Sequence, residues 1–110
     1  MIKTIFTYEE WFAEGKRLFG LDTMNWKFEC PSCGYVASVK EWVDVGASDG
    51  EIAFSCIGRH VSGAQQAFLH RGGPCNYAGG GLFAINPVQV RFPDGEVTKV
   101  FRFAEVSHAT

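Results

Sequence analysis

The sequence predicts an α+β fold, a small single domain with an N-terminal helix and C-terminal antiparallel strands. Three observations carry that prediction. Apolar residues recur at helical spacing over residues 8–19, a two-residue alternation takes over in residues 88–103, and four cysteines are spread through turn-rich sequence between them. With 110 residues and 46% hydrophobic content the chain can form one core, at a size where burial alone leaves a thin margin of stability. One domain is therefore expected over residues 1–110, with residues 103–110 as a frayed tail.

The first element is a helix over residues 8–19. Thr7 and Glu10 have the spacing of a capping box, Tyr8, Trp11, Phe12, Leu18 and Phe19 form an apolar stripe, and Gly20 supplies a stop. Glu9, Glu14, Lys16 and Arg17 are left for the solvent face. Next, residues 26–29 lead into Cys30-Pro31-Ser32-Cys33-Gly34 and residues 35–37 lead out, the strand–knuckle–strand pattern of a metal-binding hairpin. Ser38 and Glu41 repeat the capping-box spacing, so a short helix is predicted over residues 39–45, with Val39, Trp42 and Val43 toward the core and Gly46 as its end. A strand is expected at residues 52–56 after the Asp49-Gly50 turn, and a helical turn at residues 64–69. The last third reads as a meander: residues 82–85, residues 88–92, a turn at Pro93-Asp94-Gly95, and a strand over residues 97–103.

The cysteines carry the chemistry. Cys30 and Cys33 enclose two residues and Gly34 follows, which lets amide N–H groups turn toward the sulfurs. Cys56 and Cys75 stand alone, where many small zinc domains have a second close pair. The set Cys30, Cys33, Cys56 and Cys75 nevertheless reads as one tetrahedral zinc site, giving a zinc-ribbon-like domain. His60 or His70 replacing one cysteine, a rubredoxin-like iron site on the same thiolates, and a redox Cys30–Cys33 pair are the alternatives. A metal held by four protein ligands keeps no open position, so its expected role is structural.

No catalytic constellation is visible. Ser62, His60 and Asp49 lack the setting of a nucleophile turn, and Gly79-Gly80-Gly81 lacks the Lys-Ser or Lys-Thr of a phosphate loop, so the chain is expected not to be an enzyme. Recognition is assigned instead to the polar loop over residues 57–73, where Arg59, His60, His70 and Arg71 are candidate partner-binding residues. A formal charge of −2 gives no general attraction to a phosphate backbone, so a protein partner is favoured over nucleic acid, which remains the second choice through a local basic patch. Without an apolar run of about 18 residues or a signal segment, no membrane association and a cytoplasmic location are expected.

The segments Phe28-Glu29-Cys30-Pro31-Ser32-Cys33-Gly34, Phe54-Ser55-Cys56-Ile57-Gly58-Arg59, Gly73-Pro74-Cys75-Asn76-Tyr77-Ala78-Gly79-Gly80-Gly81-Leu82-Phe83 and Asn86-Pro87-Val88 together resemble a poorly characterised family of small proteins found in phages, prophages and some bacteria. The resemblance covers about residues 7–103 and is most specific in the stretch Gly73-Pro74-Cys75-Asn76-Tyr77-Ala78-Gly79-Gly80-Gly81. It implies that the four cysteines act as one site and that the chain has a mobile-element origin. Small phage proteins without catalytic residues often bind a host factor, so inhibition of a bacterial defence complex is one form the partner binding would take.

Overall fold

The computed structural model describes residues 4–68, 73–82 and 84–104. Thr7 caps the first helix as its spacing predicts: its hydroxyl accepts from Glu10 N at 3.1 Å while the Glu10 carboxylate accepts from Thr7 N at 2.9 Å. This helix, α1 (Tyr8–Phe19), follows a short strand β1 (Ile5–Thr7) that the sequence reading did not anticipate. Strands β2 (Lys27–Glu29) and β3 (Val36–Ser38) flank the knuckle, and α2 (Val39–Asp44) starts from the Ser38–Glu41 capping box. The last strands are β4 (Val88–Arg91), β5 (Val97–Val100) and β6 (Arg102–Phe103). The fold is α+β, and no described helix is long and apolar enough to cross a membrane.

Two three-stranded sheets result, β1-β4-β5 and β3-β2-β6. β1 pairs with β4 in parallel, Ile5 opposite Gln89 and Thr7 opposite Arg91, whereas β4–β5, β2–β3 and β2–β6 are antiparallel. The predicted strand over residues 97–103 is broken at Phe101, whose N–H donates to Ala53 O at 2.7 Å instead of continuing the ladder. The break also moves the buried parity. Thr98 and Val100 face inward along β5, but Phe101 and Phe103 are buried beyond the break, so one stretch of chain serves both sheets.

The main core gathers Trp26, Phe28, Trp42, Tyr77, Phe101 and Phe103 around the cysteines, with the α1 stripe packed on it. Trp11 stacks on Phe103 with ring centroids 5.4 Å apart. Gly15 sits inside α1 because Trp26 lies against it: a Cβ there would come within 2.2 Å of the indole. Phe6, Val88 and Val90 form a smaller second cluster.

Four local expectations are corrected. Residues 52–56 are not a strand: a 3-10 turn at Asp49–Glu51 continues into further turns, with Phe54 N and Ser55 N both bonded to Glu51 O and Ala53 at φ +59°. Residues 64–68 are not helical, because Gln65 bridges Cys75, with Gln65 N on Pro74 O at 3.1 Å and Asn76 N on Gln65 O at 3.0 Å; Leu69 lies outside the described residues. Leu82, Ala84 and Ile85 form no strand, and Phe83 lies outside the described residues. Val43 points to solvent, since α2 is short enough that Trp42 alone is fully buried. At the other end of the chain, Phe103 and Ala104 are buried and Ala104 N donates to Lys27 O at 2.9 Å, within the range expected to be tail; residues 105–110 lie outside the description.

Candidate metal centre

β2 delivers Cys30 to the site, and the chain then turns through a tight knuckle. Cys30 N donates to Tyr35 O at 3.0 Å, Gly34 N donates to Cys30 O at 2.8 Å, and Gly34 takes φ +78°, a conformation that favours glycine. Amide groups converge on the sulfurs. Ser32 N lies 3.4 Å from Cys30 Sγ and Tyr35 N lies 3.5 Å from Cys33 Sγ, and the Cys33 amide also reaches Cys30.

The other two cysteines reproduce this arrangement with the chain cut open between them. Cys56 N donates to Tyr77 O at 2.9 Å, as Cys30 N does to Tyr35 O. Tyr77 N lies 3.4 Å from Cys75 Sγ, as Tyr35 N lies near Cys33 Sγ. The amides of Gly58 and Cys75 serve Cys56 as those of Ser32 and Cys33 serve Cys30. Cys56 and Cys75 are therefore the two ends of a second knuckle, split by the residues between them. The closing contact explains Gly58: a Cβ there would fall 2.1 Å from Cys75 O, so only glycine lets the two segments meet.

All four sulfurs lie within 4.8 Å of one another. Cys33 and Cys56 are 3.7 Å apart and Cys30 and Cys75 are 3.9 Å apart, with all four cysteines free. A disulfide needs about 2.05 Å between sulfurs. By contrast, four thiolates about 2.3 Å from one tetrahedral zinc ion stand roughly 3.8 Å from each other. The donor set fits a single metal ion with four sulfur ligands.

Burial divides the set. Cys30, Cys56 and Cys75 are buried, while Cys33 is partly exposed beside a cavity of about 290 Å³ that also touches Ser32, Pro87 and Arg102. Without metal, the hydrogen bond from the Cys30 thiol, with the amides of Gly58 and Cys75, holds Cys56 at a pKa of about 5 against the cost of burial. That same hydrogen bond and burial push Cys30 up, and burial pushes Cys33 up to about 11.

The candidate partner residues are placed less simply. His60 Nε2 lies 2.6 Å from Glu51 Oε1, and Arg59 Nη1 lies 4.0 Å from the same oxygen, so the two share one acid. His60 is hydrogen-bonded there and stands outside the four-sulfur group, and its acid is Glu51 rather than Asp49. His70 and Arg71 lie outside the described residues. Sequence reasoning missed Ser32, which is buried and accepts from Phe68 N at 2.8 Å, and Ser55, whose hydroxyl accepts from Gly79 N at 3.0 Å. Neither serine has a local sequence signal; Gly58, two residues after Cys56, had one.

A family model covers residues 7–104, nearly the whole of this arrangement. The chain belongs to the VVA0879-like family. The match includes all four cysteines, and with them both knuckles of the VVA0879-like chain. No curated protein and no solved structure matches it.

Proposed function

We propose that this chain is a small cytoplasmic zinc-stabilised binding module of phage or mobile-element origin, which engages a protein partner such as a bacterial defence complex. The observation that carries the metal part is the convergence of four sulfurs within 4.8 Å, each met by backbone amides. Zinc suits four thiolates, and a closed set of protein ligands leaves no position for water or substrate, so the metal's role is structural rather than catalytic. The mobile-element origin and the defence target rest on the sequence resemblance.

Protein binding is favoured over nucleic acid by the state of Arg59, whose guanidinium lies 4.0 Å from Glu51, by the engagement of His60 in a hydrogen bond with the same carboxylate, and by the formal charge of −2. Nucleic-acid binding would weaken steeply with salt and on Arg59→Ala, whereas an apolar protein interface tolerates salt.

Metal content per chain after purification without added metal tests the scaffold, together with Cys56→Ser and Cys75→Ser. One zinc per chain, lost with folding in both variants, is the expected result. A coloured iron–thiolate protein would replace zinc by iron, since zinc is spectroscopically silent. Full metal retention in either variant would end the four-cysteine assignment.

A further inference from the structure

We propose that Cys33 is the reactive ligand of the metal centre, a modification site at which a small neutral electrophile takes the sulfur and releases the metal. The inference rests on the four-sulfur zinc reading and adds to it the point at which that centre opens.

Access singles out Cys33. Cys30 and Cys56 are 2% exposed and Cys75 is 0% exposed, whereas Cys33 is partly exposed. It lines the cavity of about 290 Å³ that also touches Pro31, Pro87, Glu29 and Arg102. Cys56 and Cys75 do not reach that cavity, and Cys30, which does, is covered. One wall of the cavity belongs to a sheet: Glu29 and Arg102 are opposite each other across β2 and β6, with Arg102 Nη2 3.6 Å from Glu29 Oε1.

The hydrogen bonds to sulfur point the same way. A thiolate that accepts amide hydrogen bonds has part of its lone-pair density engaged and attacks less readily. Cys30 accepts from the amides of Ser32 and Cys33, and Cys56 accepts from those of Gly58 and Cys75. Among the described residues Cys33 meets one such amide, Tyr35 N at 3.5 Å, and Cys75 meets one, Tyr77 N at 3.4 Å. Cys75 is sealed from solvent, so Cys33 alone joins access to a lightly bonded sulfur.

The cavity defines the reagent. Its volume lies at the lower limit of small-molecule sites, about 300 Å³, so it admits a small molecule only. The two charged groups in its lining are paired with each other, which leaves no net charge for an ionic reagent to answer. A neutral, electron-poor alkene meets both conditions. The Cys33 thiolate gives an electron pair to one alkene carbon and forms a C–S bond; the displaced π pair takes a proton from water at the neighbouring carbon. The sulfur is then a neutral thioether and gives up its bond to the metal, and no oxidant or reductant is consumed. Three thiolates remain, and the affinity that depended on four is lost.

The experiment treats the zinc-loaded protein, its metal content measured beforehand, with one equivalent of N-ethylmaleimide. Adducts are located by peptide mass mapping, and released zinc is read with a chromophoric chelator against a maleimide-free control. The first adduct should fall on Cys33 in at least about tenfold excess over each other cysteine, with one zinc released per adduct and a rate proportional to maleimide concentration. N-pyrenylmaleimide, its rate normalised to that on free cysteine, should react at least about tenfold more slowly because the cavity is too small for it. A first adduct on Cys30, Cys56 or Cys75, or an even spread over the four, would overturn the proposal. So would a rate independent of maleimide concentration, since the metal would then leave before any sulfur reacts. Equal normalised rates for the two reagents would overturn the cavity as the route. A protein without metal before treatment would overturn the zinc reading and this inference with it, whereas bound zinc with a different adduct map would overturn this inference alone.

Discussion

Residues 4–46 and residues 47–86 are held together by different means. The first region holds β1, α1, β2, β3 and α2, each started by a cap or a ladder and filled with aromatic side chains. Among its described residues the second has two 3-10 turns and one isolated bridge, and its buried residues are mostly the partners of sulfur or of close backbone contacts. A chain without apolar periodicity must be held at points, and here those points are two cysteines, the glycines beside them, the buried Ser55 and, reaching across from the first region, Ser32.

Metal removal should separate the two regions most sharply. Structural zinc in small domains contributes on the order of 10 kcal/mol. Chelation should abolish cooperative unfolding, and amide exchange should rise first in residues 52–82, with α1 the last to lose protection. If protection falls uniformly, the second region is not held by the metal alone.

Trp42→Ala attacks the first region. Its indole is buried and bonded to Ser55 O at 3.1 Å, so the loss should be about 3–5 kcal/mol in denaturant unfolding. The folded fraction should still bind one metal ion per chain; loss of metal at full folding would show that the aromatic core shapes the site directly.

Acidification acts on the sulfurs. Cys30 is pushed up and Cys33 stands at about 11, so both are protonated at neutral pH without metal, while Cys56, at about 5, is already a thiolate. Binding must expel at least the two protons of Cys30 and Cys33, and apparent affinity should fall at least about a hundredfold per pH unit between pH 8 and 6. Competition with a chromophoric chelator measures this slope, and a slope near zero would contradict the thiol assignment.

Gly58→Ala is the smallest of these effects, about 1–3 kcal/mol, because its Cβ would strike the Cys75 backbone and the split knuckle must shift. The expected readout is a lowered midpoint together with faster metal loss. A lowered midpoint at unchanged metal loss would mean that the contact is packing only.

The legible parts of the chain were those in which a local rule is sufficient. Thr7–Glu10 and Ser38–Glu41 gave both helix starts, and the alternation of Val88, Val90 and Phe92 gave β4. The strand expected at residues 52–56 failed because the chain turns there, with Ala53 at φ +59° and Phe54 N and Ser55 N on Glu51 O, and the Ala53 carbonyl is taken by Phe101 N, a residue nearly fifty positions away. β1 was missed because three residues carry no period of their own and pair only once β4 is in place.

By itself the sequence determined the capped helices, the first knuckle and the identity of the four sulfur donors, since each depends on residues within a few positions of one another or on thiol chemistry alone. The tertiary structure alone decided that Cys56 and Cys75 close a second knuckle, that residues 97–103 divide between two sheets, and that Phe68 N is tied to Ser32 in the first knuckle. Each of these needs a hydrogen bond between segments remote in the chain, and no local preference encodes such a bond until the packing that brings the segments together exists.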